Sequence, residues 1–298
     1  MNSLIAELLA RGPVVTDGAW GTELQARGLA LGEHPDAWNL SHPDRVLEVA
    51  NAYVAAGSQI ILTNTFGANR LRLAENGLAD KTADINRAGV EISRAVATGR
   101  ARVFASIGPS GKLLMSGDIG AEELRVAFAE QARALANAGA DALVIETMAD
   151  LEEAKLAVTG ASTTGLPIVA CMVFDSGKNK DRTMMGNTPE QAAAALMAAG
   201  ADVIGANCGQ GIKGFVVICQ RLRASTDRPI WLKPNAGLPK LVDGRAKYNV
   251  TPDAFARFVP ELIKLGASFV GGCCGTRPDF IRTIKQRLHE EASVDRGS

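Results

Sequence analysis

The residues best suited to chemistry in this chain are three cysteines. Cys273 and Cys274 stand side by side in Gly271-Gly272-Cys273-Cys274-Gly275-Thr276, and Cys208 closes the apolar run Asp202-Val203-Ile204-Gly205-Ala206-Asn207-Cys208. Three thiolates can hold one zinc ion and leave a coordination position open for a water or a substrate sulfur. The plainer readings of the adjacent pair are a buried strand end or a redox couple. Neighbouring cysteines bridge poorly, because a disulfide wants Cα atoms about 4.4 to 6.8 Å apart. Redox pairs more often take the form Cys-x-x-Cys at a helix start. The other two cysteines read as packing: Cys171 lies inside Ile168-Val169-Ala170-Cys171-Met172-Val173-Phe174 and Cys219 inside Phe215-Val216-Val217-Ile218-Cys219. Cysteine is a common small hydrophobe in cores.

The elements that must position these thiols follow a regular alternation of short β-branched runs and longer alanine-rich stretches of helical period. Strands are predicted over 13–17, 59–66, 102–109, 142–147, 167–174, 202–208, 229–236 and 269–274, and helices over stretches such as 121–138, 189–199 and 252–265. Gly57, Gly139, Gly200 and Gly266 sit where a left-handed residue would end a helix before the next strand. Strands that are apolar nearly throughout fit a parallel sheet covered on both faces. Eight such units in 298 residues suit a closed barrel better than an open doubly wound sheet. The expected fold is therefore α/β, a single (β/α)8 TIM barrel over residues 1–298, with 291–298 a disordered tail.

Barrels of this kind assemble their sites at the C-terminal ends of the strands. Asp17, Asn64-Thr65, Ser106, Glu146-Thr147, Asn207-Cys208, Asn235 and Cys273-Cys274 all close predicted runs. A single acid after a strand is often only a helix cap. Asp17 and Glu146 share one rim with three thiols, and there they make sense as holders of a substrate ammonium group, whose charge offsets theirs.

Composition narrows the partners. Lys plus Arg equals Asp plus Glu at 32 each and no basic block stands out, so neither nucleic acid nor an anionic membrane surface is expected. The opening Met1-Asn2-Ser3-Leu4-Ile5-Ala6-Glu7 carries an acid and no basic leader, so no signal peptide is expected. No uncharged apolar stretch is long enough to span a bilayer. Cysteines that must stay reduced to hold metal suggest the cytoplasm.

The chain resembles the zinc-dependent homocysteine S-methyltransferases, including betaine-homocysteine methyltransferases and the homocysteine-binding barrel of cobalamin-dependent methionine synthase. The resemblance rests on Thr16-Asp17-Gly18-Ala19-Trp20-Gly21-Thr22-Glu23, Leu62-Thr63-Asn64-Thr65-Phe66-Gly67-Ala68-Asn69, Ser106-Ile107-Gly108-Pro109, Ile145-Glu146-Thr147-Met148, Asn207-Cys208-Gly209, Asn235-Ala236-Gly237-Leu238-Pro239 and the cysteine pair. It implies that Cys208, Cys273 and Cys274 bind zinc, that homocysteine adds its sulfur, and that Asp17 and Glu146 lie by its amino group. Gly18 would offer backbone N–H to the substrate carboxylate, or simply make a tight turn. Asn235 would border the open zinc position, or simply precede the turn at Gly237. Thr147, Asn64, Thr65 and Ser106 would line the substrate pocket.

A free thiol has a pKa near 8.5, whereas a metal-bound one is deprotonated outright, so such a site needs no base for the transfer. His34, His42 and His289 indeed fall outside the predicted strand ends. For the methyl donor, the stretches 33–39 and 181–186 look like bacterial betaine enzymes. Trp20, Trp38 and Phe66 could line a cage for a methylated cation, at about 0.5 to 2 kcal/mol per aromatic face, although tryptophans in loops also seal barrel mouths. Arg70 or Arg182 could meet the donor's carboxylate. Glycine betaine is the expected donor, with S-methylmethionine or a methylated corrinoid protein as alternatives. A homo-oligomer is compatible with all three.

Overall fold

The β-branched runs become eight parallel strands: β1 Val14–Val15, β2 Ile60–Ile61, β3 Arg102–Ile107, β4 Ala142–Met148, β5 Ile168–Met172, β6 Val203–Gly211, β7 Ile230–Asn235 and β8 Ala267–Val270. They are seen in a computed structural model that describes residues 1–242 and 245–294. The ladder runs β1-β8-β7-β6-β5-β4-β3-β2, every pair parallel, so the first and last strands of the chain meet. The β1–β2 seam is closed by other means. Gln59 N donates to Val15 O at 2.8 Å, Val15 N donates to the Gln59 side chain at 3.0 Å, and Leu62 N donates to the Asp17 carboxylate at 2.7 Å. The result is the (β/α)8 barrel that the alternation predicts.

Two apolar layers hold it. Inside the ring, Trp231 stacks on Phe104 with centroids 6.0 Å apart and tilts against Phe269 at 5.3 Å. The helix Ser3–Leu9 closes the N-terminal end, burying Ile5 completely against this same cluster. Each such side chain contributes roughly 1.5 to 3 kcal/mol by leaving water. Outside the ring, helices such as Ala121–Asn137, Leu151–Ser162 and Pro189–Ala199 pack on the strands through their apolar faces. Gly57, Gly139, Gly200 and Gly266 all take the left-handed conformation at helix ends, as their spacing predicts. Cys171 and Cys219 are buried in these layers.

Several boundaries differ from expectation. The ladders of β1 and β2 are only two residues long, and beyond them the Asp17 side chain takes the Leu62 amide and the Asn64 side chain bonds Pro35 O. β8 ends at Val270, so the cysteine pair lies in the turn beyond the strand. The predicted helix 252–265 breaks at Arg257–Phe258 into Pro252–Ala256 and Val259–Lys264. Pro260 has no N–H for the helical ladder and is accommodated in the first turn of the second piece. A short antiparallel hairpin, Lys240–Val242 with Arg245–Lys247, was not foreseen. The last helix, Pro278–Val294, carries the expected tail as far as Val294, and residues 295–298 lie outside those described. Among the described residues no helix is long and apolar enough to cross a membrane.

Candidate metal centre and substrate cavity

At the C-terminal mouth of the barrel β6 delivers Cys208, and the turn after β8 delivers Cys273 and Cys274. That turn is stitched to its surroundings by backbone bonds: Cys273 N to Pro234 O at 2.8 Å, Ala236 N to Cys274 O at 2.9 Å, and Gly272 N to Asp17 O at 3.0 Å. Thr276 Oγ1 donates to Cys273 O at 2.6 Å and tightens it further. Cys208 itself has φ +61°, a left-handed conformation that a non-glycine residue adopts only when its surroundings enforce it. Thr147, at the end of β4, is held at φ +62°.

The three sulfur atoms lie within 4.8 Å of one another, with Cys208 Sγ 3.9 Å from Cys274 Sγ and Cys273 Sγ 4.0 Å from Cys274 Sγ. A tetrahedral zinc with Zn–S bonds of about 2.3 Å sets its sulfurs about 3.8 Å apart, close to the spacings at Cys274, so the donor set suits that ion. S–H donation from Cys273, then from Cys274, holds the Cys208 pKa far below the usual thiol range. The same contact with Cys208 pushes the thiols of Cys273 and Cys274 up. Asn235 adds to the lowering of the Cys208 pKa, and its own buried Oδ1 has no hydrogen-bond partner. An orphaned oxygen beside three thiols suits the border of a metal's open position. Burial raises the pKa of Tyr248, and the neighbouring Cys274 adds to the rise.

Below the thiols, Glu146 accepts from Ser106 Oγ at 2.5 Å and from Asn207 Nδ2 at 3.3 Å. Burial raises its pKa, with Lys233 pulling in the opposite direction. Lys233 was not anticipated. It is 2% exposed in the middle of β7, and its Nζ donates to Asp17 Oδ1 at 2.5 Å. Burial works against the ammonium, but Asp17 and Glu146 outweigh it and hold the Lys233 pKa above the ordinary value. The other carboxylate oxygen of Asp17 accepts from Trp20 Nε1 and from Leu62 N, both at 2.7 Å. Asp17 therefore accepts three hydrogen bonds from the protein, and Lys233, unlike Asp17, lines the open space.

One cavity of about 600 Å³ joins these groups to the outside. Gly18, Trp20, Asn64, Phe66, Ser106, Glu146, Thr147 and Lys233 line it together with the three cysteines. Asn64 donates to Pro35 O at 2.8 Å and so anchors the loop over the mouth. Thr65 is wholly buried, bonded to Thr63 Oγ1 and Ser106 O, and supports the wall from behind. Trp38 is turned into the core with its ring 4.6 Å from that of His42, which takes it out of any cage at the mouth. The two arginines named from their loop positions are engaged elsewhere: Arg70 pairs with Glu130, and Arg182 bonds Gly186 O.

The outer end of the cavity is lined instead by His34, Asp36, Gly67 and Arg72. His34 Nδ1 lies 3.3 Å from Asp36 Oδ2. Burial lifts the Asp36 pKa to about 7 and pushes that of His34 down, while His34 Nδ1 has no hydrogen-bond partner. A lysine interrupting an otherwise apolar strand, two residues from Trp231 and two from Asn235, was the signal in sequence for Lys233. Inward-facing positions alternate along a strand, so Trp231, Lys233 and Asn235 share the inner face.

Three thiols, a carboxylate and a cavity thus meet at the C-terminal mouth of a parallel barrel, an arrangement that can hold a metal ion beside a small substrate. The family model for homocysteine S-methyltransferase matches residues 14–288, and the chain belongs to that family. It is 34% identical over 98% of its length to the methionine synthase of Mycobacterium leprae, and 32% identical over 94% of its length to that of Mycobacterium tuberculosis. The chain spans only about a quarter of these relatives, 26% and 25% of their lengths. Among solved structures, the metallated form of the homocysteine methyltransferase MmuM from Escherichia coli superposes with a TM-score of 0.80 at 24% identity, covering 95% of this chain and 99% of that one. That likeness extends the barrel assignment to nearly the whole chain.

Proposed function

We propose that this chain transfers a methyl group from glycine betaine to the thiol of homocysteine, giving methionine and dimethylglycine, with zinc held by Cys208, Cys273 and Cys274. The observation that carries the reading is the continuity of one cavity from the thiol cluster and Glu146 to Trp20, Phe66 and Arg72. Zinc, when bound, supplies a Lewis acid that keeps an incoming thiol deprotonated at neutral pH. Glu146 accepts the substrate ammonium, and Ser106 and Asn207 fix the carboxylate for it. Trp20 and Phe66 turn aromatic faces to a quaternary ammonium, and Arg72 meets the donor's carboxylate. In the transfer an S–C bond forms as a C–N bond breaks. The electron pair of that C–N bond stays on nitrogen, so no general base is needed. Thiols that must stay reduced favour the cytoplasm as its location.

A second reading, motivated by the likeness to methionine synthases, has the homocysteine sulfur receive its methyl group from a methylated corrinoid. S-Methylmethionine is the third donor to test. Zinc-loaded protein incubated with homocysteine and each donor decides among them. Methionine from betaine at the highest kcat/KM, with Trp20→Ala raising the KM for betaine far more than for homocysteine, is the expected result. Turnover only with S-methylmethionine, or only with a methylated corrinoid, would replace betaine as the donor.

A further inference from the structure

We propose that Lys233 is the seat for the carboxylate of the amino-acid thiol, and that Asp17 holds Lys233 in place for it. This rests on the reading that the substrate is homocysteine. Lys233 points into the barrel from the same face of β7 as Trp231 below it and Asn235 above it, and it lines the cavity that holds the thiols. Asp17 does not line that cavity. Its oxygens are taken by Lys233, the Trp20 indole and the Leu62 amide. An ammonium carries three N–H donors, and Asp17 Oδ1 accounts for one of them.

A buried lone ammonium would be strongly disfavoured, and a carboxylate behind it offsets that cost. The pair presents the cationic end to the cavity and keeps the anionic end out of reach. Charge explains why this suits the site. Three thiolates around a divalent ion leave a net negative charge, and Glu146 adds another. A substrate carboxylate entering that field without a cation to meet it would be repelled. Homocysteine carries its ammonium and carboxylate on one carbon, so their partners must be opposite in sign and close together. Asn207 links the two candidates: it bonds Glu146 at 3.3 Å and lies in register with Lys233 across the β6–β7 ladder. The backbone alternative at Gly18 is thinned by Ala19, whose N–H is already bonded to Thr276 O at 2.9 Å.

The test is binding by titration calorimetry to the zinc-loaded full chain of three thiols: homocysteine, 4-mercaptobutanoate, which lacks the amine, and 3-aminopropane-1-thiol, which lacks the carboxylate. Lys233→Met leaves Asp17 buried and unpaired, so the double variant Asp17→Asn with Lys233→Met is measured beside it as the neutral scaffold. In either variant that folds, homocysteine and 4-mercaptobutanoate should weaken by about tenfold to a hundredfold, the worth of one charged hydrogen bond, while 3-aminopropane-1-thiol is unchanged. Equal weakening of all three, or unchanged homocysteine affinity, would overturn the proposal. A wild-type chain that binds 4-mercaptobutanoate in a Lys233-dependent way but not homocysteine would remove the homocysteine reading and keep the carboxylate seat. Binding of none of the three would overturn both.

Discussion

Asn207 and Thr147 hold each other at two points: Thr147 N donates to Asn207 Oδ1 at 2.7 Å, and Asn207 Nδ2 donates to Thr147 Oγ1 at 2.7 Å. The clamp joins the ends of β4 and β6 where Thr147 and Cys208 are both held in the left-handed region. The same amide reaches Glu146 and, at 3.8 Å, Cys273 Sγ. One side chain therefore orients a metal-ligand strand and the carboxylate beneath it. Asn207→Ala should leave all three cysteines present yet weaken zinc binding about tenfold to a hundredfold, the usual effect of losing an outer-shell partner. Competition against a chromophoric chelator measures it, and an affinity unchanged from wild type would remove Asn207 from the support of the site.

The ligand set itself predicts a sharp division among the five cysteines. Alanine at position 208, 273 or 274 should abolish stoichiometric zinc in the purified reduced protein. Cys171→Ala and Cys219→Ala should retain it, since both thiols are buried in apolar layers. Metal analysis by mass spectrometry settles the matter, and full occupancy in Cys273→Ala would reject this set.

Glu146→Gln keeps the shape of the site but removes its charge, its one amide oxygen accepting from Asn207 or from Ser106. Homocysteine binding should weaken by roughly 1.5 to 3 kcal/mol, with zinc content unchanged. Binding of 4-mercaptobutanoate should stay level or strengthen. An equal loss for both thiols would assign Glu146 to support of the scaffold.

Asp36 gives a pH dependence. Its folded pKa is lifted to about 7 from the ordinary 3.8, first by burial. Between those values the folded chain keeps a proton that the unfolded chain releases, so stability falls as pH rises through the window and the loss is complete above it. At about 1.36 kcal/mol per unit, the full window corresponds to about 4 kcal/mol. Asp36→Asn lacks this proton, so wild type should lose ground to the variant in urea unfolding as pH goes from 4 to 8. Parallel stability curves would place the carboxyl in a more solvated setting.

Much of this site was legible in sequence because barrels put chemistry at strand ends. The three thiols, Glu146, Ser106 and the left-handed glycines follow from strand periodicity and punctuation. What stayed hidden depends on depth and direction, which periodicity does not carry. Trp38 reads as a mouth aromatic, yet the short helix Trp38–Ser41 turns it inward onto His42. Asp17 and Glu146 look equivalent as strand-end acids. Only the fold reveals that a lysine far along the chain occupies one of them and leaves the other facing the cavity. Arg72 sits on the short helix Arg70–Ala74, and His34 and Asp36 at the single turn Pro35–Ala37, pieces whose placement over the mouth no local pattern specifies.

The pairing of the first strand with the last has a consequence for timing. β8 fills the gap between β7 and β1, and the cysteine pair follows it directly. During N-to-C synthesis Cys208 emerges on the order of several seconds before its partners, and until then it is a lone thiol with no chelating neighbour. The ligand cluster comes into being only when the ring is completed, so metal capture reports a finished barrel and a half-made chain has little means of sequestering zinc.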